Sequence, residues 1–173
     1  MKKYSLAILL GFGLFLVFNS CEKKKDLSSL DPVSWEKRIM TQTLSDSLLS
    51  GSTYLSVYSQ IYSLSEHLTH NLTATISIRN TSRTDSLYIT KAEYFNTHGQ
   101  HIRTYIAQPI FLIPLETVAI VIDEKDKEGG TGANFIFDWH IKPHTSEPLF
   151  EGIMISTSGQ QGLSFTTQGK RIQ

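Results

Sequence analysis

The chain has 173 residues, with 16 basic and 16 acidic side chains, six histidines and one cysteine. This balance lacks the basic excess that phosphate contacts demand of a nucleic-acid-binding protein, so no nucleic-acid partner is expected. A single cysteine excludes a disulfide framework within the chain, so any fold must rest on its hydrophobic core.

Lys2 and Lys3 precede thirteen apolar or glycine residues, Leu6 to Phe18, and then Asn19, Ser20 and Cys21. A basic start, an apolar middle and a small residue before a cleavage point are the parts of an export signal. A retained transmembrane helix is the first alternative, but thirteen residues at about 1.5 Å each fall well short of roughly 30 Å of hydrocarbon. A buried core helix is the second, and the abrupt change to Glu22-Lys-Lys-Lys-Asp26 argues against it. The segment resembles a bacterial lipoprotein signal. Cys21 stands where the lipobox has its invariant cysteine and Ser20 is the small residue before it, while Phe18 departs from the usual leucine. The resemblance implies cleavage before Cys21, a thioether-linked diacylglycerol there, and an acylated amino terminus with palmitate as its mark. Two or more acyl chains hold a protein firmly on a bilayer, where one binds only marginally. The lipid bilayer is then a partner reached through Cys21. Glu22, in place of the aspartate that retains enterobacterial lipoproteins at the inner membrane, implies the outer membrane within the cell envelope.

The expected organisation is therefore a cleaved signal over 1–20, a lipidated cysteine and tether over 21–51, and a domain over 52–173. Without Lys2 and Lys3 the chain keeps fourteen basic against sixteen acidic residues, a net charge near −2. Lys23 to Lys25 read as a solvated tether, with attraction to anionic headgroups as the alternative. Asp31 before Pro32 marks the start of a short helix, with Trp35 and Ile39 four apart on one face.

From Tyr54 the pattern changes to period two. Leu55, Val57 and Ile61 alternate with Tyr54, Tyr58 and Tyr62; Leu72, Ala74, Ile76 and Ile78 alternate with Thr73, Thr75, Ser77 and Arg79. Alternation of this kind describes strands buried on one face. Further strands are predicted near 86–95, 101–106, 117–122, 135–141, 149–156 and 163–167, separated by turn compositions such as NTSRT, THGQ, KPHTSEP and SGQQG. Some seven or eight short strands predict an all-β domain, an antiparallel sandwich of immunoglobulin-like architecture, without the Cys–Trp–Cys pattern of true immunoglobulin domains.

Several strings invite chemistry. In DEKDKEGGTG at 123–132, Glu124, Asp126, Glu128 and Gly129 echo the start of a calcium loop, yet Phe135 stands where the bidentate glutamate belongs, so a solvated hairpin loop is expected. The three glycines precede a strand and no closing Lys follows, which speaks against a phosphate cradle. His67 with His70, placed in a loop, and His98 with His101, flanking a turn, have spacings that zinc ligands use, but HExxH and further cysteines are absent from the sequence. Ser156 and Ser158 lack a GxSxG elbow. No metal or cofactor is expected. GANFIFDW and STSGQQG offer Asn134, Trp139, Gln160 and Gln161, amides and an aromatic ring of the kind that recognises sugars or peptides; the structural alternative puts Trp139 in the core and the amides in turns. Asp46-Ser-Leu48 and Asp85-Ser-Leu87 resemble a bacterial O-glycosylation motif, or are simply turn starts.

The strings YLSVYSQIY at 54–62, LTATISIRNT at 72–81, YFNTHGQHIRTYI at 94–106, FLIPLETVAI at 111–120, GGTGANFIFDW at 129–139 and MISTSGQQGLSF at 154–165 run in order. On them the chain resembles the bacterial family of unknown function numbered 3124, over roughly residues 52 to 170, with Ser56 where a proline is usual. The resemblance implies an exported bacterial protein and adds no activity. The expected function is a membrane-anchored envelope lipoprotein whose β domain binds or scaffolds an envelope glycan or protein without catalysis. The alternative is an envelope hydrolase acting on glycan or peptide polymer, which would need Asp123, Asp138 or Ser158 to converge with a histidine in a cleft.

Overall fold

A computed structural model describes residues 28–29, 35–157 and 162–173. The strands are β1 (Ser28–Ser29), β2 (Leu49–Val57), β3 (Gln60–Ser63), β4 (Ser65–Asn71), β5 (Thr73–Arg79), β6 (Leu87–Phe95), β7 (His101–Ile106), β8 (Ile110–Leu112), β9 (Thr117–Ile122), β10 (Ala133–Ile141), β11 (Leu149–Ser156), β12 (Leu163–Gln168) and β13 (Lys170–Arg171). One sheet has the order β1-β9-β5-β11-β12 and the other β13-β2-β10-β6-β7, with β8 also paired to β6. Every pairing is antiparallel. The all-β sandwich expected from the alternating pattern is the fold observed. Within it β2 pairs with β10 in one sheet, while β5 lies between β9 and β11 in the other.

Alternation decides which side chains meet between the sheets. Leu72, Ala74, Ile76 and Ile78 are fully buried, as are Leu55 and Val57. β10 is the clearest case, since every other residue of ANFIFDWHI, from Ala133 to Ile141, is buried. Its rings stack into a ladder through the core. Tyr94 lies on Phe135 at 4.8 Å, Phe135 on Phe137 at 5.4 Å, and Phe137 reaches across to Phe150 of the other sheet at 4.4 Å. Trp139 ends the row, and its indole N–H donates to Thr53 Oγ1 at 2.9 Å.

Sequence reasoning departs from the structure at three places. The predicted strand from Tyr54 to Tyr62 breaks at Tyr58–Ser59, and the chain leaves the sandwich as a separate β3–β4 hairpin before re-entering as β5. His67 and His70, expected in a loop, stand on β4 of that hairpin. The short helix is a single 3-10 turn, Trp35–Arg38, and its expected start at Asp31 lies outside the described residues.

Both open sides of the sandwich are laced by segments outside the main strands. On one side β1 pairs with β9 of the first sheet. The chain then packs Trp35 against the core, pairs Arg38 with Glu116, and bridges Ile39 to Ile110 at the edge of the second sheet. On the other side β12 ends at Gln168, Gly169 N–H donates to the Phe150 carbonyl, and β13 crosses to pair with β2. Such covering blunts sheet edges, which otherwise template pairing with other chains. Asn80 holds a third junction: buried, it donates to the carbonyls of Asp85, Leu112 and Ile113 and accepts from the Ser82 N–H.

Candidate functional site

The inner faces are apolar; the outer face of the β2–β10–β6 sheet is not. The register brings Ser56, Asn134 and Phe95 into one row, Tyr54, Ile136 and Glu93 into the next, then Ser52, Asp138 and Lys91, then Ser50, His140 and Tyr88. Period two puts these residues there: apart from Ile136, the alternate positions on β2 and β10 that share this face are polar or aromatic. A bulge between Asp138 and Trp139 sets Thr90 and Lys91 side by side on β6, and the Thr90 hydroxyl donates to the Asp138 carbonyl. Bulges commonly re-aim side chains beside functional sites.

A pocket of about 350 Å³ opens on this face, lined by Ser50, Ser52, Thr90, Asp138 and His140 together with Gly51 and Gln173. Ser52 donates its hydroxyl to the Asp138 carboxylate. Nδ1 of His140 is buried and has no hydrogen-bond partner among the described residues. A buried polar atom left unpaired costs about 1–3 kcal/mol, so each such atom calls for an explanation. Lys91 pairs with Glu93 at 2.9 Å; that hydrogen bond holds the lysine above its usual range, and the charges of Glu93 and Asp138 add to the effect. The face thus offers carboxylates, hydroxyls, an imidazole and an amide, with the Tyr54 ring 37% exposed among them.

Of the residues singled out in the sequence, Asn134 lies half-buried on this face, two residues into β10. Trp139, in contrast, is 1% exposed and faces the core. Its ring has no side open to a ligand, because Gly51 lies against it and the Arg171 guanidinium sits 5.2 Å from its centroid. Gln160, Gln161, Ser158 and Cys21 lie outside the described residues. Ser156, at the end of β11, and Ile122, from which the 123–132 loop departs, stand at one end of the sandwich, since β11 and β9 both finish beside the start of β5. His140 and Ser52 were not singled out as a site. Alternation within ANFIFDWHI already set Asn134, Asp138 and His140 on one face, but only the β2 register adds Ser52.

The 123–132 loop has a structural explanation. Asp126 is 4% exposed and pairs with Arg103 at 2.9 Å; Glu128 pairs with the same guanidinium. Burial pulls the Arg103 pKa down, but Tyr105, Glu128 and Asp126 outweigh it and hold the group firmly charged. These carboxylates are therefore committed to a cation from the chain itself. Gly129 presses against the Tyr94 hydroxyl, which shares a 2.8 Å hydrogen bond with Ser59, and burial raises the Tyr94 pKa above the usual phenol range. Gly130 adopts φ 72 and its carbonyl accepts from the N–H groups of Ser59 and Gln60, fixing the foot of the hairpin. Among the described residues no cluster of three or more His, Cys, Asp or Glu has metal-site geometry. His101 instead packs edge-on to Phe95.

No curated protein matches the sequence. A solved structure titled "Crystal Structure of Thermotoga maritima 1070" is similar over 69% of this chain and 92% of that chain, at 8% identity and a TM-score of 0.44. The profile described as protein of unknown function (DUF3124) matches residues 50–172, from the first turns of β2 to the residue after β13, and the chain belongs to that family.

Proposed function

We propose that the protein is a lipid-anchored component of the bacterial cell envelope, held at the outer membrane through Cys21, and that its β domain binds a polyhydroxylated ligand, an envelope glycan, on the outer face of the β2–β10–β6 sheet. The observation that carries the binding reading is the pocket at Asp138 and His140, where an imidazole nitrogen is buried without a partner beside a carboxylate and two serines. Sugar hydroxyls both donate and accept, so a carboxylate, an amide and an imidazole together match them, while an exposed ring such as Tyr54 stacks on their C–H faces. The anchor is supported by the order of residues 2–21.

The hydrolase reading gains one observation, since Asp138 and His140 share a pocket with Ser52. The hydrogen bonding favours binding. In a nucleophilic triad the histidine stands between hydroxyl and carboxylate; here Ser52 donates to Asp138 directly.

A screen of glycans and peptidoglycan fragments tests the reading. Asp138→Asn and Asn134→Ala should each weaken a wild-type signal about tenfold, the loss of one charge-assisted or amide hydrogen bond, with the melting temperature unchanged. Binding that survives both substitutions removes the site from this face; turnover of a fragment, lost with His140→Ala, replaces binding by hydrolysis. For the anchor, Cys21→Ser should move the protein from the membrane to the soluble fraction and abolish incorporation of a fatty-acid analogue. A wild type that takes no label overturns lipidation.

A further inference from the structure

The β3–β4 hairpin leaves the sandwich with Ile61 packed against the core and Tyr62, Leu64 and Leu68 outward. Tyr62 is 60% exposed, Leu68 48% and Leu64, at the turn, 99%. Leu64 is the informative residue. Its φ is 63, in the left-handed region where a Cβ clashes with the backbone and where glycine or asparagine is ordinarily found. A leucine there raises the energy of the turn, and at 99% exposure it gains no packing from its own chain in return. Its cover is not among the described residues; Leu115, at φ 61 and 65% exposed, shares both features at the opposite end of the sandwich, so only position distinguishes the two.

The position of the hairpin says what that cover is. β1 pairs Ser28 with Ile122, at the end of β9 from which the 123–132 loop departs. The Gly130 carbonyl of that loop accepts the N–H groups of Ser59 and Gln60 at the hairpin's foot. β1 runs antiparallel to β9, so Ser28, its first residue, stands at this same end. Ser28 is seven residue steps beyond Cys21, a span of about 25 Å at full extension. An acylated Cys21 therefore keeps this end of the sandwich within that distance of the bilayer.

We infer that the tip of the β3–β4 hairpin, with Tyr62, Leu64 and Leu68, is a second contact with the lipid surface, seating the anchored end of the domain on the bilayer. The inference rests on the anchor reading. A tyrosine beside two leucines suits the interface, the ring at headgroup level and the aliphatic groups below it. In the neighbouring 123–132 loop Asp126 and Glu128 are paired with Arg103 and Lys125 and Lys127 stand beside Asp123 and Glu124, so this end carries little net charge and an uncharged headgroup suffices. Seated in this way, the domain holds one orientation instead of swinging on its tether.

The test uses the full lipidated chain in phosphatidylcholine vesicles. Cys21 is the only cysteine in the sequence, so Leu64→Cys and Arg83→Cys each offer one free thiol for a polarity-sensitive fluorophore. Arg83 is exposed between β5 and β6, at the opposite end of the sandwich. A blue-shifted probe at 64, quenched by a membrane-restricted quencher while the probe at 83 stays in water, is expected. Membrane-bound protein with both probes in water overturns the hairpin contact and leaves the anchor standing. Protein that never binds vesicles, because Cys21 is not acylated, overturns both. A shift at 64 that appears in native membranes and not in pure lipid makes the partner a protein and sinks the lipid proposal.

Discussion

Ile76→Asp should abolish folding of the domain, while Arg79→Asp, three residues along the same strand, should leave it folded. Ile76 is fully buried on β5, opposite Ile120 of one neighbour and Gly152 of the other. An aspartate there has no cation within the apolar layer. It must either stay charged without solvent or take up a proton far above its ordinary pKa, and both routes cost about 4 kcal/mol or more. That is comparable with the whole stability of a domain of this size, roughly 5–15 kcal/mol. Arg79 has its side chain on the outer face, where it pairs with Glu151 at 2.6 Å with both groups more than a third exposed. Replacing it removes one screened pair and adds an acid near another, about 1 kcal/mol. Urea unfolding of the Cys21→Ser chain without residues 1–20, followed by far-ultraviolet circular dichroism, reads both. Equal midpoints for the two variants would mean that the faces of β5 are wrongly assigned.

Gly51→Ala should be nearly as damaging although it adds one methyl group. Gly51 lies directly opposite Trp139 in the ladder, and a Cβ at this position would fall among the indole atoms Cζ2, Cη2 and Cε2. The ring cannot tilt freely, because its N–H is bonded to Thr53 and the Arg171 guanidinium sits 5.2 Å from its centroid. Overpacking of this kind costs about 1–3 kcal/mol, and loss of the indole hydrogen bond adds about 1 kcal/mol. Trp139→Phe removes the atoms in conflict. In that background the same alanine should cost at least about 1 kcal/mol less, the coupling expected of residues in contact. Additive effects in the double-mutant cycle would show that the two residues do not share this space.

The sandwich was legible because most of its strands alternate and turn compositions bound them: 101–106, 117–122 and 149–156 coincide with β7, β9 and β11. The β3–β4 hairpin was not, because Tyr54 to Tyr62 keeps its alternation through the bend at Ser59, and pattern alone carries no sign of a chain leaving its sheet. What fixes the bend is remote, the Gly130 carbonyl and the Tyr94 hydroxyl. For the same reason Trp139 remained open in the sequence: an aromatic in a strand reads alike on either face until the run is phased against Phe135 and Phe137. The Asp138–His140 pocket shows the opposite balance. Two of its members sit at alternate positions of one strand, whereas Ser52 joins them only through a pairing across 86 residues.

The lacing of the sandwich by the segment from β1 to Ile39 bears on how the protein carries mechanical load. On the proposed anchoring at Cys21, a pull on the anchor reaches β2 only after passing through that lacing. There it meets the two-residue β1 ladder, the Arg38–Glu116 pair and the Ile39 bridge before it reaches β2 at Leu49. These few bonds lie in series and should yield before the nine-residue ladders of the sandwich. Their release would free the chain up to Leu48 and lengthen the tether from about 25 Å to about 95 Å. Single-molecule stretching of the anchored chain should then show an early extension of roughly 70 Å, well before the main rupture. The lacing would act as a slack-release clasp between the proposed anchor and the sandwich.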